Sequence, residues 1–271
     1  MAEPTLSQHR IFCWSTPRSL STAFMKCLSM TEGAMAWMEP FSTAEHFGPE
    51  GRLAPPEEVP TEPDYKPVWI QEKLEGDFEG HSLVFVKDLA YAVSDRLQFL
   101  PTGYRHSFLI RHPLKSYMSY YRLFEKMFGE EGSAHFKGWL PRKGFGYGEL
   151  AELADYIEQD LGQPLVIVDA DDILRQPKVM VEKYCRALGL PFSDAILTWE
   201  LGIPKNWIVP KSVRKTDEDY HWMTTVLSSQ SFNSSHQTTI SQDEVPQVVQ
   251  EMLEVALPFY DKLYAKRLLP S

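Results

Sequence analysis

The sequence predicts an α/β protein, a central parallel sheet flanked by helices in a single domain, and three observations carry that prediction. Short apolar runs rich in β-branched and aromatic residues recur at Arg10 to Ser15, Ala34 to Met38, Ser82 to Val86, Ser107 to Ile110 and Leu165 to Val168. Runs that are apolar on both sides suit strands buried on both faces, as in a parallel sheet. Stretches of helical periodicity separate them, clearest at Pro113 to Met127, Tyr147 to Asp160 and Pro177 to Leu188, and the alternation implies βαβ units. The 271 residues are 43% hydrophobic and 24% charged, the balance of a globular domain able to bury a large core.

Taken in order, the first strand runs into Ser15-Thr16-Pro17-Arg18-Ser19-Leu20-Ser21-Thr22 and then into the helical pattern AFMKCLSM. Gly48 to Pro67 and Phe128 to Gly148 read as long loops, a length often associated with functional lids, and the second carries Lys137, Arg142 and Lys143. The last helix is expected from Asp243 to about Arg267, with Pro246 in its first turn and Pro258 as a kink or break.

Lys and Arg total 27 against 37 Asp and Glu, a formal charge of −10, the wrong sign for a general nucleic-acid or anionic-membrane binder. Any polyanion has to be met by a local basic site. The three cysteines, Cys13, Cys27 and Cys185, form no CxxC pair and no disulfide framework. The start MAEPTLSQHR lacks a basic region followed by an apolar one, and no apolar run approaches the roughly 18 residues of a membrane span. A cytoplasmic location without membrane contact is the expectation. Nothing in the sequence sets an oligomeric state.

A strand, a turn of small hydroxylated residues and a helix N-terminus together make an anion cradle, because free N–H groups and the positive dipole end point at the ligand. The loop has no Walker A pattern: the second glycine and the lysine followed by Ser or Thr are missing. Taken alone it reads equally well as an ordinary Ser/Thr cap.

Residues Arg18, Ser19, Ser21 and Thr22 resemble the 5′-phosphosulfate loop of sulfotransferases that use 3′-phosphoadenosine 5′-phosphosulfate (PAPS), with Leu20 where that family usually has glycine. Arg111-His112-Pro113, followed by Ser119 and Tyr121, is similar to the family's 3′-phosphate motif. The segment from Val166 through Asp172 to Leu188-Gly189-Leu190-Pro191-Phe192 is similar to a third, with Ala170 at the position of a usual tyrosine. The resemblance spans residues 10 to 192 and fades beyond 200, where Val213-Arg214-Lys215-Thr216 is a faint match to a late Arg-Lys-Gly element that also holds the 3′ phosphate. It implies a P-loop-like sulfotransferase fold, with a nucleotide-binding core over 10–192 and a mostly helical part over 193–271. It also implies PAPS as donor, 3′-phosphoadenosine 5′-phosphate (PAP) as product, and a small-molecule acceptor.

Sulfuryl transfer needs a base for the acceptor proton, in-line geometry and positive charge on the leaving oxygen, but no metal clamp. The eight histidines show no metal-ligand spacing. Glu39, in Met38-Glu39-Pro40-Phe41 at a strand end, is the first choice for the base, and the dipeptide resembles the element carrying the catalytic glutamate of several carbohydrate sulfotransferases. Proline after it is expected to hold Glu39 in extended angles. Asp88 stands near the place of the histidine used by cytosolic members and is the second choice, with Lys87 as stabiliser of the leaving oxygen. Two other readings stay open: a catalytically silent PAP-binding module, and a kinase-like phosphotransferase. The acidic surface favours a small neutral or cationic alcohol or amine as acceptor over sulfated polymers.

Overall fold

The computed structural model describes residues 8–53, 59–132, 136, 144–232 and 240–270. Among them, six strands form one sheet: β1 (His9–Ser15), β2 (Ala34–Met38), β3 (Leu83–Leu89), β4 (Arg105–Ile110), β5 (Ile167–Asp169) and β6 (Trp207–Ile208), in the order β5-β4-β1-β3-β2-β6. Every pairing is parallel. The predicted fold class is therefore observed.

Apolar residues occupy both sides of each central strand because both faces are covered. On one face Phe12, Trp14, Val84, Val86, Phe108 and Ile110 pack with α4 (Pro113–Phe128), α5 (Tyr147–Gln159) and α10 (Gln247–Ala265). On the other, Ile11, Cys13, Phe85 and Leu109 pack with α1 (Ser21–Leu28) and α7 (Pro177–Leu188). After β1 the chain goes to β2 and returns to β3 on one side, then crosses to β4 on the other. The carboxyl ends of β1 and β4 thus flank a topological switch point, where α/β sheets open a ligand crevice.

Several boundaries move. β3 runs three residues past the predicted Val86, so Lys87 and Asp88 lie in a wholly buried strand. Pro246 precedes α10 rather than sitting inside its first turn, and the helix runs through Pro258 without a break. The short edge strand β6, α2 (Pro40–Phe47), α3 (Pro67–Glu75), α6 (Ala170–Arg175), α8 (Lys211–Tyr220) and α9 (Thr224–Leu227) are additions to the predicted elements. Within the first long loop, Glu62 is buried and accepts from Ser212 N at 2.7 Å, which ties the loop to the start of α8. Lys137, Arg142 and Lys143 lie outside the described residues. Beyond α10 the chain turns back on the edge strand: Leu268 N donates to Ile167 O at 2.8 Å, and Lys183 Nζ to Leu269 O at 2.9 Å. No helix among the described residues is long and apolar enough to cross a membrane.

Candidate active site

A cavity of about 470 Å³ opens at the carboxyl ends of β1, β2, β3 and β4. Arg18, Leu20, Ser21, Thr22, Glu39, Lys87, Arg111 and Ser119 all reach its wall. Residues scattered over a hundred positions are thus brought to one place.

The turn from β1 into α1 takes left-handed backbone at two non-glycine positions, Arg18 (φ 62°) and Leu20 (φ 73°). A leucine at the family's glycine position does not prevent that geometry; it only makes it costly, by about 1–2 kcal/mol. Leu20 is the helix N-cap, and no side chain caps it. The first-turn N–H groups, which have no intrahelical acceptors, are therefore available to an anion beside Ser21 and Thr22. The Ser19 side chain is fully buried and its hydroxyl donates to Thr16 O at 2.7 Å, bracing the turn.

The sequence suggests two separate phosphate clamps, and the structure joins them. Arg18 Nε donates to Ser119 Oγ at 3.2 Å, Arg18 NH1 to Trp222 O at 3.0 Å, and Arg111 NH1 to Arg18 O at 3.0 Å. Burial pushes the Arg18 guanidinium below its ordinary pKa, a cost that an anionic ligand relieves. Arg111 Nε is buried with no hydrogen-bond partner, and among the described residues no carboxylate pairs with either arginine. This donor set fits a phosphate-bearing nucleotide. Tyr147 OH holds the strand end in place, donating to Arg111 O at 2.7 Å.

Glu39 is not extended. It sits at φ 50°, ψ 49°, because one residue must complete the turn from β2 into α2. Its N–H donates to Lys87 O at 2.7 Å, continuing the sheet, while its own carbonyl accepts from Thr43 N at 2.8 Å and starts the helix. The Glu39 side chain forms an ion pair with Lys87 through Oε1.

Asp88 has a different surrounding. It is fully buried, is absent from the cavity wall, and accepts from Phe41 N at 2.6 Å, Ser42 N at 3.1 Å, Ser42 Oγ at 2.5 Å and Leu89 N at 2.8 Å. Burial pushes its carboxyl up to about 7 against those donors. It caps α2 from the neighbouring strand.

Arg214 and Lys215 are likewise off the wall. Their helix α8 presents Val213 and Thr216 to the cavity instead, and Lys215 pairs with Asp219. Among the wall residues missed by sequence reasoning are His46, whose Nε2 lies 2.9 Å from Tyr91 OH, and Tyr91 itself. Burial lowers the His46 pKa to about 4. The missed signal was the spacing Glu39, Thr43, His46, which puts all three on one helical face. Among the described residues no group of three or more His, Cys, Asp or Glu gathers as a metal-ligand set.

Comparison with known proteins places the fold beside sulfotransferase domains. The fold is similar to the sulfotransferase domain of the Synechococcus olefin synthase (TM-score 0.52, 15% identity, 94% of this chain and 96% of that one). It is similar as well to the sulfotransferase domain of the curacin biosynthetic pathway (TM-score 0.54, 12% identity, 91% and 96%). Residues 154–267 match the family model described as sulfotransferase domain. The sulfotransferase resemblance read from the sequence is thereby borne out, and it extends well past residue 200, where the motifs fade. Among curated proteins, the chain is 27% identical over 270 residues to branched-chain-amino-acid aminotransferase-like protein 2 of Arabidopsis thaliana, covering 93% of this chain. It is 26% identical over 281 residues to protein 1 of that name, covering 97%. It spans only 41% and 42% of those two relatives.

Proposed function

We propose that the chain transfers a sulfuryl group from PAPS to a hydroxyl of a small acceptor, with Glu39 as the base. The observation that carries this reading is the Glu39–Lys87 pair on the wall of the same cavity as the uncapped α1 turn. PAPS, when bound, supplies the sulfuryl group and a phosphate as leaving group. In this reading the α1 N–H groups, Ser21, Thr22 and Arg18 hold the 5′ end, and Arg111 with Ser119 holds the 3′ phosphate. Lys87 places positive charge where the leaving oxygen develops its own. Lys87 engages Oε1 of Glu39, and a carboxylate has a second oxygen that can accept the acceptor's proton. Asp88 acts through α2, keeping Glu39 aimed, while Arg214 and Lys215 are left out of the assignment.

Calorimetry with PAP and AMP tests the donor. PAP should bind more tightly, and Arg111→Ala should remove about 1.5–3 kcal/mol of that preference, the usual size of a charge-assisted hydrogen bond. Equal affinity for the two nucleotides would overturn the reading, and magnesium-dependent loss of ATP would replace it with phosphotransfer.

A further inference from the structure

The cavity changes character along two helices that leave the sheet side by side. On α2 the wall residues run Glu39, Ser42, Thr43, His46, Phe47, from an ion pair through hydroxyls to an aromatic ring. On α4 they run from Lys115 and Ser119 to Leu123 and Met127. Twelve residues at 1.5 Å each carry that face about 18 Å outward from the strand ends. Apart from Arg122 on α4, the charge is gathered at the sheet, and the apolar surface lies two to three turns away. Trp222, Val226 and Phe232 add to the apolar part of the wall.

The charges on the wall are also one-sided. Among the described residues Glu39 is its only Asp or Glu, and that carboxylate already faces Lys87, whereas Arg18, Lys87, Arg111, Lys115 and Arg122 are cations, Lys115 being paired with Asp171. Arg122 lies on α4 beyond Ser119, with its side chain half exposed. His46, between Glu39 and Phe47, is held uncharged at neutral pH by burial and bonds to the Tyr91 hydroxyl. Apart from Glu39, whose Oε1 is taken by Lys87, nothing among the described residues of the wall offers a counter-charge to an ammonium group.

We infer that the acceptor is an apolar alcohol without positive charge, bound with its hydroxyl at Glu39 and its body between the outer turns of α2 and α4. This rests on the sulfuryl-transfer reading, and it narrows the acceptor class expected from net charge by removing the cationic amines. Binding such a molecule removes its hydrocarbon from water against Phe47, Leu123 and Met127, a gain that grows with each methylene.

The test measures PAP release from PAPS with a matched pair, hexan-1-ol and hexylamine, with glycerol, and with the straight-chain alcohols from butanol to octanol. Hexan-1-ol should exceed hexylamine and glycerol in kcat/KM by at least about tenfold, and each methylene should raise kcat/KM by about fourfold until the cavity is filled. Met127→Glu, at a half-buried position, should flatten the chain-length dependence, with PAP affinity measured as the reference. A flat series in the unmodified protein, or equal use of the amine or glycerol, overturns the inference. So does PAP binding with no turnover of any alcohol. Failure to bind PAP at all is a different result, and overturns the donor reading instead.

Discussion

At the end of β4 the residue before the helix-opening proline, His112, lies at φ −53°, ψ 126°, whereas at the end of β2 the corresponding residue, Glu39, lies at φ 50°, ψ 49°. Both helices carry proline at the start, which disfavours helical angles in the preceding residue and steers it to extended ones. His112 complies, because two residues, Arg111 and His112, separate β4 from α4. One residue separates β2 from α2, so Glu39 must make the turn alone. The capping differs to match. His112 Nδ1 accepts locally from Leu114 N at 3.3 Å, while the α2 N–H groups are capped by Asp88 from the neighbouring strand. Strained backbone persists where its surroundings over-determine it, and here the strain aims a carboxylate into the cavity.

The largest effect expected from this contrast is catalytic. Glu39→Gln should lower kcat by roughly 10²–10⁴, the usual share of a general base, while PAP affinity is retained. A Glu39→Gln protein that turns over normally, beside an Asp88→Asn protein that is folded and inactive, would move the base to β3.

Asp88→Asn should act on stability first. An amide cannot accept from all four donors, and the loss should be about 1–3 kcal/mol in denaturant unfolding. Its pH dependence has a defined sign. Burial raises the folded-state value to about 7, above the roughly 3.9 of an unfolded aspartate. The contribution of that shift is complete below the unfolded value and is lost as pH rises through the folded one. The advantage of the unmodified protein over Asp88→Asn should therefore shrink between about pH 4 and pH 7. A gap that widens over this range would contradict the burial argument.

The smallest effect compares the two prolines directly. Pro113→Ala should cost about 0.4–1 kcal/mol by freeing the unfolded chain. Pro40→Ala should cost less, because removing the ring also relieves Glu39. Equal losses in parallel unfolding curves would break the comparison.

What the sequence disclosed follows the same division. β2 and α7 were legible to the residue, since apolar runs and helical period are local signals. Arg18, and separately Arg111 with Ser119, could be singled out because each stands in a stretch that resembles a family motif. Their mutual hydrogen bonds were not, since those depend on how β1 and β4 are juxtaposed. Glu39 could be placed at its strand end, but its backbone was misread: the pre-proline preference is local, and the one-residue turn is imposed by the sheet. Asp88, Arg214 and Lys215 were plausible by residue type, yet a charged residue next to a site in sequence can turn into the core or out to solvent. β6, only two residues at the sheet edge, has too few residues to leave a pattern.

The return of the chain onto β5 after α10 bears on association between molecules. A parallel sheet closed into no barrel has two edges, and an open edge offers unpaired amides and carbonyls to any neighbouring extended chain. Here one edge carries a bond from Leu268 to Ile167, and the other ends in the two-residue strand β6. A second molecule thus has little continuous backbone to extend, and removing residues 266–271 should uncover β5 and raise the tendency to aggregate, visible as light scattering on mild heating.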